Sequence, residues 1–573
     1  MPITTRAAKG YALTHAEMDA NLAAVQALVS GALIVVGTGV AATDYAAIVA
    51  AIAALPASGG SIKLTGVLNF GTLGPVVVNR PCLIFGDGSS DAYAATNLNT
   101  GINGTQPAVY ANESEIAATT VYNTSQTASL FQVNAHGVTF RDIHFSNRAG
   151  SEPTAGSAIV LGGASGTPAN GAIIIQCSFN RFWINIDVVN STAYSIAFNK
   201  IIGHVKIGIR INNVENIDEG DPNIVNNWIM SGNNSGHPDA GILWESGGGP
   251  RIQGNKISRK GARAATDTVR HRKGIWIRPL AGSNSGVFVI SGNSIEAIDE
   301  AAIFLDTATN VTGAIQNVLV TGNEFNMSSL ATSGLLYNYV LWGKAGAGQV
   351  PGAVQFSNNL INGCYTMVRS EYFSGSIGPN TISGSLTGAL IDIPNGPGLS
   401  YDISAQKLDF ARSNVVLLSD QTADNYNSNS QRECINLSRR REFPAATIGT
   451  ASNLFRILIG AGNCAAIIEV SFAGFLSGPG AYACAVKRVI SGNGSAAAAA
   501  TPTGWVDFTL APNATTTTQQ YLTWGFTNSG GYLTISATPT VGGTPALNTS
   551  FAGVVSGTVQ IKVDGLVREF VVY

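Results

Sequence analysis

Two carboxylates, Glu245 and Asp306, and one guanidinium, Arg278, occupy the same place in three short segments of one pattern. The segments are GILWES (241–246), GIWIRP (274–279) and AIFLDT (302–307). Stacked as parallel strands, they would separate the backbones at the two acids by two strand spacings, roughly 9–10 Å, with Arg278 between them. Carboxyl groups about 6.5–9.5 Å apart suit inverting glycoside hydrolysis, with one acid and one base. The competing interpretation is a surface salt-bridge ladder that stabilises the fold.

A neighbouring column of the same alignment contains polar and aromatic side chains that could bind a substrate. The two columns are Asp187, Arg210, Leu243, Trp276, Phe304 and Val189, Asn212, Glu245, Arg278, Asp306. Alternation with a period of two predicts that both columns are exposed. Asp187, Arg210 and Trp276 are therefore candidate substrate-binding residues, and the indole of Trp276 could stack on a sugar ring.

Long insertions precede the segments that carry Glu245 and Arg278. The first, NWIMSGNNSGHPDAG, contains His237 and Asp239, which are a second acid–base candidate. Insertions on neighbouring coils would wall a groove beside the carboxylate column, as binding loops on a rigid scaffold often do.

The second insertion, SRKGARAATDTVRHRKG (258–274), is strongly basic, with six Lys or Arg residues and His271 against Asp267. Arg270, His271 and Arg272 are candidate ligands for an acidic polysaccharide, because guanidinium groups bind carboxylates bidentately. A solvated loop or a contact between subunits explains the same charges. The basic loop also favours a lyase as the alternative enzyme, in which a base such as His271 removes a proton beside a uronate carboxylate.

An Asn-containing pattern recurs along the middle of the chain, as in YSIAFNKII (194–202) and PRIQGNKIS (250–258). An apolar residue is followed three positions later by Asn, and two positions after that by another apolar residue. The recurring positions are Asn199, Asn227, Asn255, Asn293, Asn323, Asn359 and Asn380. Asn tolerates left-handed backbone and can bond the Asn of the next coil, so the pattern predicts a structural ladder.

The variable spacing of this repeat favours a parallel β-helix, because its turns accept insertions whereas helical repeats have fixed lengths. Segments of alternating apolar residues between the Asn turns supply the second strand of each coil. The segment 43–55 predicts a helix over the open end of the solenoid, starting at an N-cap and followed by a first strand at 59–66.

Both termini differ from the solenoid. THAE (14–17) is a capping box that opens a predicted helix over about 14–30, whose apolar spacing also suits a coiled-coil contact between copies. From about residue 400 the Asn pattern stops, and short strands between Gly-, Asn- and Thr-rich turns predict a β-sandwich. The predicted domains are 1–40, 41–400 and 401–573.

Composition narrows the function classes. Charged residues make up 12% and the net charge is −2, which does not favour nucleic acid or an anionic membrane as partner. We expect no signal peptide, no metal and no cofactor. The six cysteines are scattered and are expected to be reduced and buried, as in a protein made in the cytoplasm.

The assembled order resembles the tailspike proteins of bacteriophages. AKGYALTHAEMDANL (8–22) is similar to a segment near the start of phage tail proteins, and 42–66 is similar to the entry of the pectate-lyase-like superfamily. The resemblance implies a right-handed single-stranded parallel β-helix, a homotrimer, a place on the phage tail reached directly or through an adaptor protein, and a bacterial surface polysaccharide as partner.

The resemblance and the candidate residues together predict a depolymerase that hydrolyses a capsule, O-antigen or exopolysaccharide. Glu245, Asp306 and Arg278 are its predicted catalytic residues. Two alternatives remain at this point: a polysaccharide lyase acting by β-elimination on an acidic glycan, and a trimeric adhesin that binds host glycan without cleaving it.

Overall fold

The computed structural model describes residues 31–88, 119–163, 166–213, 222–231, 237–259, 270–280, 286–308, 315–327, 338–344, 352–371, 373–386 and 388–393, followed by the backbone of separate strands. The chain divides into two compact units, Met1–Val289 and Ile290–Tyr573. The helix expected over 14–30 lies outside the described residues. In the part of the chain that is described, no helix is long and apolar enough to span a membrane.

The first unit contains one described helix and a series of short strands. In chain order they are β1 (Ala32–Val36), α1 (Ala41–Ala54), β2 (Gly60–Asn69), β3 (Val76–Val78), β4 (Cys82–Phe85), β5 (Thr119–Asn123), β6 (Phe131–Val133), β7 (Thr139–Arg141), β8 (His144–Asn147), β9 (Ser157–Leu161), β10 (Ile173–Ile175), β11 (Ser178–Asn180), β12 (Ile184–Val188), β13 (Ser195–Ala197), β14 (Lys200–His204), β15 (Ile207–Asn212), β16 (Asn223–Val225), β17 (Trp228–Ser231), β18 (Ala240–Ser246), β19 (Arg251–Gln253), β20 (Lys256–Arg259) and β21 (Lys273–Ile277).

These strands form three parallel sheets, to which each coil contributes one strand. Sheet I contains β1, the first half of β2, β4, β7, β10, β13, β16 and β19. Sheet II contains the second half of β2, β5, β8, β11, β14, β17 and β20. Sheet III contains β3, β6, β9, β12, β15, β18 and β21. The expected parallel solenoid is therefore confirmed.

The core of the first unit is a stack of inward-facing apolar side chains. Ile196, Ile224 and Ile252 lie opposite one another on successive strands of sheet I, and all three are fully buried. A single coil cannot bury such a row, but the stacked coils do.

The second unit repeats this pattern and then changes to antiparallel pairing. Its strands are β22 (Val287–Ser291), in which the unit boundary falls, β23 (Ser294–Glu296), β24 (Ala301–Asp306), β25 (Asn317–Thr321), β26 (Glu324–Asn326), β27 (Tyr339–Lys344), β28 (Ala353–Ser357), β29 (Leu360–Cys364), β30 (Thr366–Ser370), β31 (Ser374–Ile377), β32 (Thr381–Leu386), β33 (Ile391–Ile393), β34 (Tyr401–Ile403), β35 (Gln406–Asp409), β36 (Val415–Asp420), β37 (Ile435–Phe443), β38 (Ser452–Ile459), β39 (Cys464–Phe475), β40 (Ala481–Gly492), β41 (Val506–Thr509), β42 (Gln519–Ser529), β43 (Tyr532–Gly542), β44 (Val555–Asp564) and β45 (Val567–Val572).

Two antiparallel groups follow the parallel coils of the second unit. One joins β37, β44, β39, β40 and β41, and the other joins β36, β45, β38, β43 and β42. The face-to-face packing that would make them a sandwich stays a prediction. The parallel series β24, β27, β30, β33 and β36 is called sheet IV, and it carries the side chains discussed below.

The recurring Asn residues form the expected ladder within each unit. The Oδ1 atom of Asn227 accepts hydrogen bonds from the backbone N–H and the Nδ2 group of Asn199, both at 3.0 Å. The Oδ1 atom of Asn255 accepts the same two hydrogen bonds from Asn227. In the second unit the series runs from Asn293 through Asn323 and Asn359 to Asn380.

In every ladder turn except the last, where Pro379 precedes Asn380, the left-handed residue is the one before the ladder Asn, not the Asn itself as the sequence predicted. Asn226 has φ 55° and Gly254 has φ 65°, whereas Asn227 and Asn255 are not among the residues with positive φ. The physical reason is that the ladder Asn side chain must turn inward to bond the next coil. The turn itself is made by its neighbour, at a conformation that Gly and Asn adopt readily.

Helix α1 covers the solenoid end with Ile48, Ile52 and Leu55 buried, as predicted. The expected N-cap at Thr43 is wrong, because the helix begins at Ala41 and Val40 makes no side-chain cap. Instead, the buried carboxylate of Asp44 accepts hydrogen bonds from the amides of residues 38, 39 and 69. The segment 59–66 is not the first strand either, since β1 precedes the helix and pairs with β2.

The expectation of reduced, buried cysteines is confirmed for Cys82, Cys177 and Cys364, which are free thiols. Burial raises the pKa of Cys82 and of Cys177 to about 12. The side chains of the other three cysteines lie outside the described residues.

The ladder generates a stability prediction. Asn227→Ala removes an acceptor used twice by Asn199 and a donor to the backbone oxygen of Ile196. We expect a loss of about 2–3 kcal/mol in the free energy of unfolding, because buried polar partners are left unpaired. The control is Asn226→Gly, which keeps the left-handed turn and should change stability by less than about 0.5 kcal/mol. Urea unfolding with equal losses for the two variants would contradict the ladder.

Candidate functional site

Four residues of the carboxylate column predicted from the sequence, Val189, Asn212, Glu245 and Arg278, lie on or just past strands of sheet III, whereas the fifth, Asp306, lies in the second unit. We call Asp187, Arg210, Glu245, Trp276 and Arg278 the Trp276 cluster. The neighbouring column is confirmed in register, since Asp187, Arg210, Leu243 and Trp276 lie opposite one another on successive strands.

The column that contains Glu245 is displaced by a register shift between β15 and β18. Asn212 lies opposite Ser246, not opposite Glu245 as predicted, because the register shifts after Ile211. Such a bulge inserts one residue and re-aims the side chains that follow it. Arg278 follows β21, and its amide donates to the carbonyl of Trp244.

The prediction that these columns are exposed is wrong for their acids and for Leu243 and Trp276, whereas Arg210, Asn212 and Arg278 are partly exposed. Only 5% of Glu245 and 9% of Trp276 is exposed, and Leu243 is fully buried. Lys273 Nζ and Arg278 Cζ lie 4.4 and 4.3 Å from the centre of the Trp276 ring. Trp276 therefore binds cations of its own chain and offers little surface to a sugar.

Each acid of the Trp276 cluster is matched by a guanidinium. Arg210 donates to both carboxylate oxygens of Asp187, at 2.8 and 2.7 Å, and Arg278 donates to Glu245. Burial raises the pKa of Asp187, the pairing with Arg210 opposes that rise, and the charge of Glu245 adds to it. This one-to-one pairing favours the salt-bridge interpretation of the column over the catalytic one.

Asp306, the other predicted catalytic acid, lies at the end of β24 in the second unit, so its relation to Glu245 stays a prediction. Within its own unit Asp306 is buried and lies opposite Lys344. Its Oδ1 atom accepts a hydrogen bond from the amide of Ala308 at 3.1 Å.

A second cluster, absent from the sequence-based candidates, lies on sheet IV. We call Tyr339, Trp342, Arg369, Glu371 and Asp392 the Trp342 cluster. Phe304, Trp342, Arg369 and Asp392 occupy one register position on four successive strands. The column therefore continues for three strands beyond Phe304, where the sequence alignment stopped.

One guanidinium holds both carboxylates of the Trp342 cluster. Arg369 Nε donates to Glu371 Oε1 at 3.0 Å, and Arg369 Nη1 donates to Asp392 Oδ2 at 3.2 Å. These bonds limit the distance between the two bonded oxygens, Glu371 Oε1 and Asp392 Oδ2, to about 8.5 Å at most, so the two acids are no farther apart than the carboxyl groups of glycosidases, whose separations reach about 9.5 Å. All three side chains are partly exposed, unlike Glu245 and Asp187.

Aromatic rings form the wall of this cluster. Trp342 packs on Phe304 at 4.6 Å and on Tyr339 at 5.0 Å, and its Nε1–H donates to Glu371 at 3.3 Å. Gly343 is required beside it, because a Cβ atom there would collide with the ring of Phe373. The indole is thus held in one orientation while part of it stays open to solvent.

The shared guanidinium leaves the two acids in unequal environments. Burial raises the pKa of Asp392, Arg369 opposes that rise, and the neighbouring charge of Glu371 adds to it. Burial also raises the pKa of Tyr339, and Arg369 opposes that rise. A partly exposed carboxyl group with a raised pKa beside a second carboxylate is a candidate general acid.

The basic insertion is described only at its ends. Arg270 and His271 are fully buried, which disfavours them as ligands of a polysaccharide and disfavours His271 as a lyase base, and both roles stay predictions. His271 instead stacks on His204, with the two Nε2 atoms 2.8 Å apart. Arg272 is exposed and stays a candidate ligand.

The first insertion reaches the described residues at His237 and Asp239, both of which are partly buried. Asp239 forms a salt bridge of 2.7 Å with Lys206. The proposed acid–base role of this pair stays a prediction.

The Trp342 cluster could have been found from the sequence by continuing the second-strand pattern. YVLWGK (339–344), TMVRSE (366–371) and LIDI (390–393) each fit it, and their register brings Trp342, Arg369 and Asp392 together. No signal in these segments reveals that Glu371, one residue past its strand, reaches the same guanidinium.

No protein-family model and no curated protein matches the chain. Among solved structures it is similar to the Agl-KA catalytic domain, with 14% identity and a TM-score of 0.44 over 64% of this chain and 62% of that one. A GH87 α-1,3-glucanase from Streptomyces thermodiastaticus matches with 16% identity and a TM-score of 0.40, over 66% and 69%. The tailspike protein gp49 of Acinetobacter baumannii bacteriophage Fri1, a capsular polysaccharide depolymerase, matches with 10% identity and a TM-score of 0.29, over 89% and 82%. Further phage tailspike proteins are among the similar structures, at identities of 11–13% and TM-scores of 0.25–0.39.

The buried His204–His271 pair predicts a loss of stability in mild acid. Burial lowers the pKa of His271 to about 3 and that of His204 well below its usual value. These histidines take up protons near pH 6.5 in the unfolded chain but not in the folded one, so the free energy of unfolding decreases as the pH falls from 6.5 towards 3. Between pH 7 and pH 5 we expect each histidine to lower the free energy of unfolding by about 2 kcal/mol. Urea unfolding at both pH values measures this loss.

The matched variants are His271→Gln and His136→Gln, the latter at an exposed histidine. His271→Gln should reduce the pH dependence, whereas His136→Gln should leave it unchanged. A wild-type stability that is flat from pH 7 to pH 5 would contradict the buried neutral pair.

The Trp276 cluster predicts a structural role for Glu245. Glu245→Gln keeps the shape of the side chain but leaves Arg278 beside a neutral amide. We expect the free energy of unfolding to fall by about 1–3 kcal/mol, because a largely buried charge pair is broken. Thermal or urea unfolding measures the change. Unaltered stability would contradict the assignment of this pair as a structural salt bridge.

Proposed function

We propose that the chain is a tailspike-type depolymerase that hydrolyses a bacterial surface polysaccharide at the Trp342 cluster. One observation carries the proposal: Glu371 and Asp392 share the guanidinium of Arg369 beside a partly exposed indole. Hydrolysis of a glycosidic bond needs two carboxyl groups at such a separation and a surface against which the sugar can lie.

The two acids take different roles. Asp392, whose pKa is raised, is the general acid that protonates the leaving oxygen. Glu371 is oriented by hydrogen bonds from Arg369 and Trp342, and acts on the opposite side of the bond as base or nucleophile. Arg369 keeps the two carboxyl groups apart, and the partly exposed Trp342 forms the platform for the sugar ring, with the buried Tyr339 packed behind it.

The remaining sequence-based expectations belong to the same proposal. They are the homotrimer, the attachment of residues 1–40 to the phage tail or to an adaptor protein, the location on the virion, and a C-terminal domain over 401–573 for trimerisation or glycan binding. Glu245 with Asp306 is the competing catalytic pair, and Asp306 also lies beside the Trp342 column.

Purified protein incubated with capsular polysaccharides and lipopolysaccharides from a panel of bacteria tests this function. Wild type should release new reducing ends without new ultraviolet absorbance. Glu371→Gln and Asp392→Asn should each slow cleavage by about 100-fold or more, because general acid–base catalysis contributes about 10²–10⁴-fold. Circular dichroism and unfolding midpoints confirm that each variant is folded.

Glu245→Gln is the matched control, since it neutralises a carboxylate that is also paired with an arginine. It should keep cleavage within about threefold of wild type, a difference of less than about 1 kcal/mol in activation free energy. If Glu245→Gln and Asp306→Asn abolish cleavage while Glu371→Gln and Asp392→Asn do not, the competing pair is correct. New ultraviolet absorbance would indicate a lyase, and retention on a glycan without cleavage would indicate an adhesin.

A further inference from the structure

A turn of the first unit holds a bulky aromatic residue where the other coils hold small or polar ones. Phe198 has φ 56° and 57% of it is exposed. The same turn position in the neighbouring coils is taken by Gln176, Asn226 and Gly254. Left-handed backbone is unfavourable for a bulky residue, and an exposed ring gains little from burial, so folding alone does not explain Phe198.

A second exposed ring begins the next strand of sheet II. Trp228 is 39% exposed and lies in register between Lys200 and Lys256. The Nζ atom of Lys200 is 5.4 Å from the centre of its ring. Adjacent coils are about 4.8 Å apart, so the backbones at the two lysines, two coils apart, are separated by roughly 9–10 Å. We call Phe198, Lys200, Trp228 and Lys256 the Trp228 ridge.

The surface around this ridge is cationic. The strands on either side, β13, β14, β16, β17, β19 and β20, contain Lys200, Arg251, Lys256 and Arg259 and no acidic residue. Arg251 is exposed at the start of β19 on sheet I, and Lys256 is exposed at the start of β20 on sheet II. The charges within these strands favour a negatively charged ligand, although the whole chain has a net charge of −2.

The ridge is also rigid. Phe198 directly precedes Asn199, and Trp228 directly follows Asn227, and these two Asn residues are joined by the ladder. The backbone that carries both rings is thus held in register before a ligand binds, which favours a preformed site.

We propose that the Trp228 ridge is a non-catalytic binding site for an anionic polysaccharide. The two rings lie against the sugar faces, and Lys200, Lys256 and Arg251 bind its carboxylate or sulfate groups. The ridge is in the first unit, and none of its residues belongs to the Trp342 cluster. Binding at the ridge therefore does not depend on whether that cluster is catalytic. A second copy of the chain is the less favoured occupant, because packing this surface around a symmetry axis would bring like charges together.

Binding to immobilised polygalacturonate, dextran sulfate and neutral dextran tests the proposal, with the full chain in each case. Wild type should bind the anionic polymers at least tenfold more tightly than dextran, with weaker binding as salt increases. Retention on polygalacturonate alone identifies carboxylates as the ligand groups, and retention on both identifies negative charge as the common feature. Trp228→Ala and Lys256→Gln should each weaken binding about five- to tenfold, whereas Leu73→Ser, at another exposed apolar residue, should not.

Phe198→Gly separates a binding role from a structural one. Because Gly relieves the left-handed conformation, the variant should unfold at a higher temperature while it binds less tightly. A lower unfolding temperature with unchanged binding would overturn the proposal. Equal retention of wild type on all three polymers would also overturn it. So would a change in molecular mass of Trp228→Ala with unchanged binding, because the ridge would then be a contact between copies.

Discussion

The hydrogen bonds of the Asn ladder are the constraint on which the rest of each unit depends. Every coil must turn sharply between its first two strands, and the turn leaves backbone groups facing the interior. The ladder Asn supplies hydrogen bonds to these groups, because its Nδ2 group also donates to a backbone oxygen of the preceding coil, as that of Asn227 does to Ile196. Because each Asn is paired through a neighbour, the turns stay in register while the loops elsewhere in the coil vary in length.

That fixed register lets outward-facing side chains meet across coils. In the first unit it brings Asp187 to Arg210, and in the second it brings Arg369 to Asp392. The two clusters differ in their charge balance, and this difference decides how we assign them. Two buried acids with two guanidinium partners form a neutral ladder, whereas the two acids that share one guanidinium are partly exposed and are left with a net negative charge.

The parallel solenoid, the Asn ladder and the register of the Asp187 column follow from the sequence, because all three depend on regular repetition. Three features do not. The bulge that displaces Glu245 depends on one extra residue in β18, which no repeat reveals. The burial of Trp276 and His271 depends on what covers them, and alternation of apolar residues reports only which side of a strand they occupy. Glu371 lies just outside its strand and reaches Arg369 through its side chain.

The central claim is that water attacks a glycosidic bond at the Trp342 cluster, and the most direct test follows the oxygen of that water. The polysaccharide that the protein cleaves is digested in water labelled with heavy oxygen, and the products are analysed by mass spectrometry. Our account predicts one labelled oxygen at each new reducing end and no unsaturated sugar, with labelled product formed at least about 100-fold more slowly when Glu371 or Asp392 is replaced by its amide. Unsaturated, unlabelled products, or labelled products from both amide variants at the wild-type rate, would contradict it.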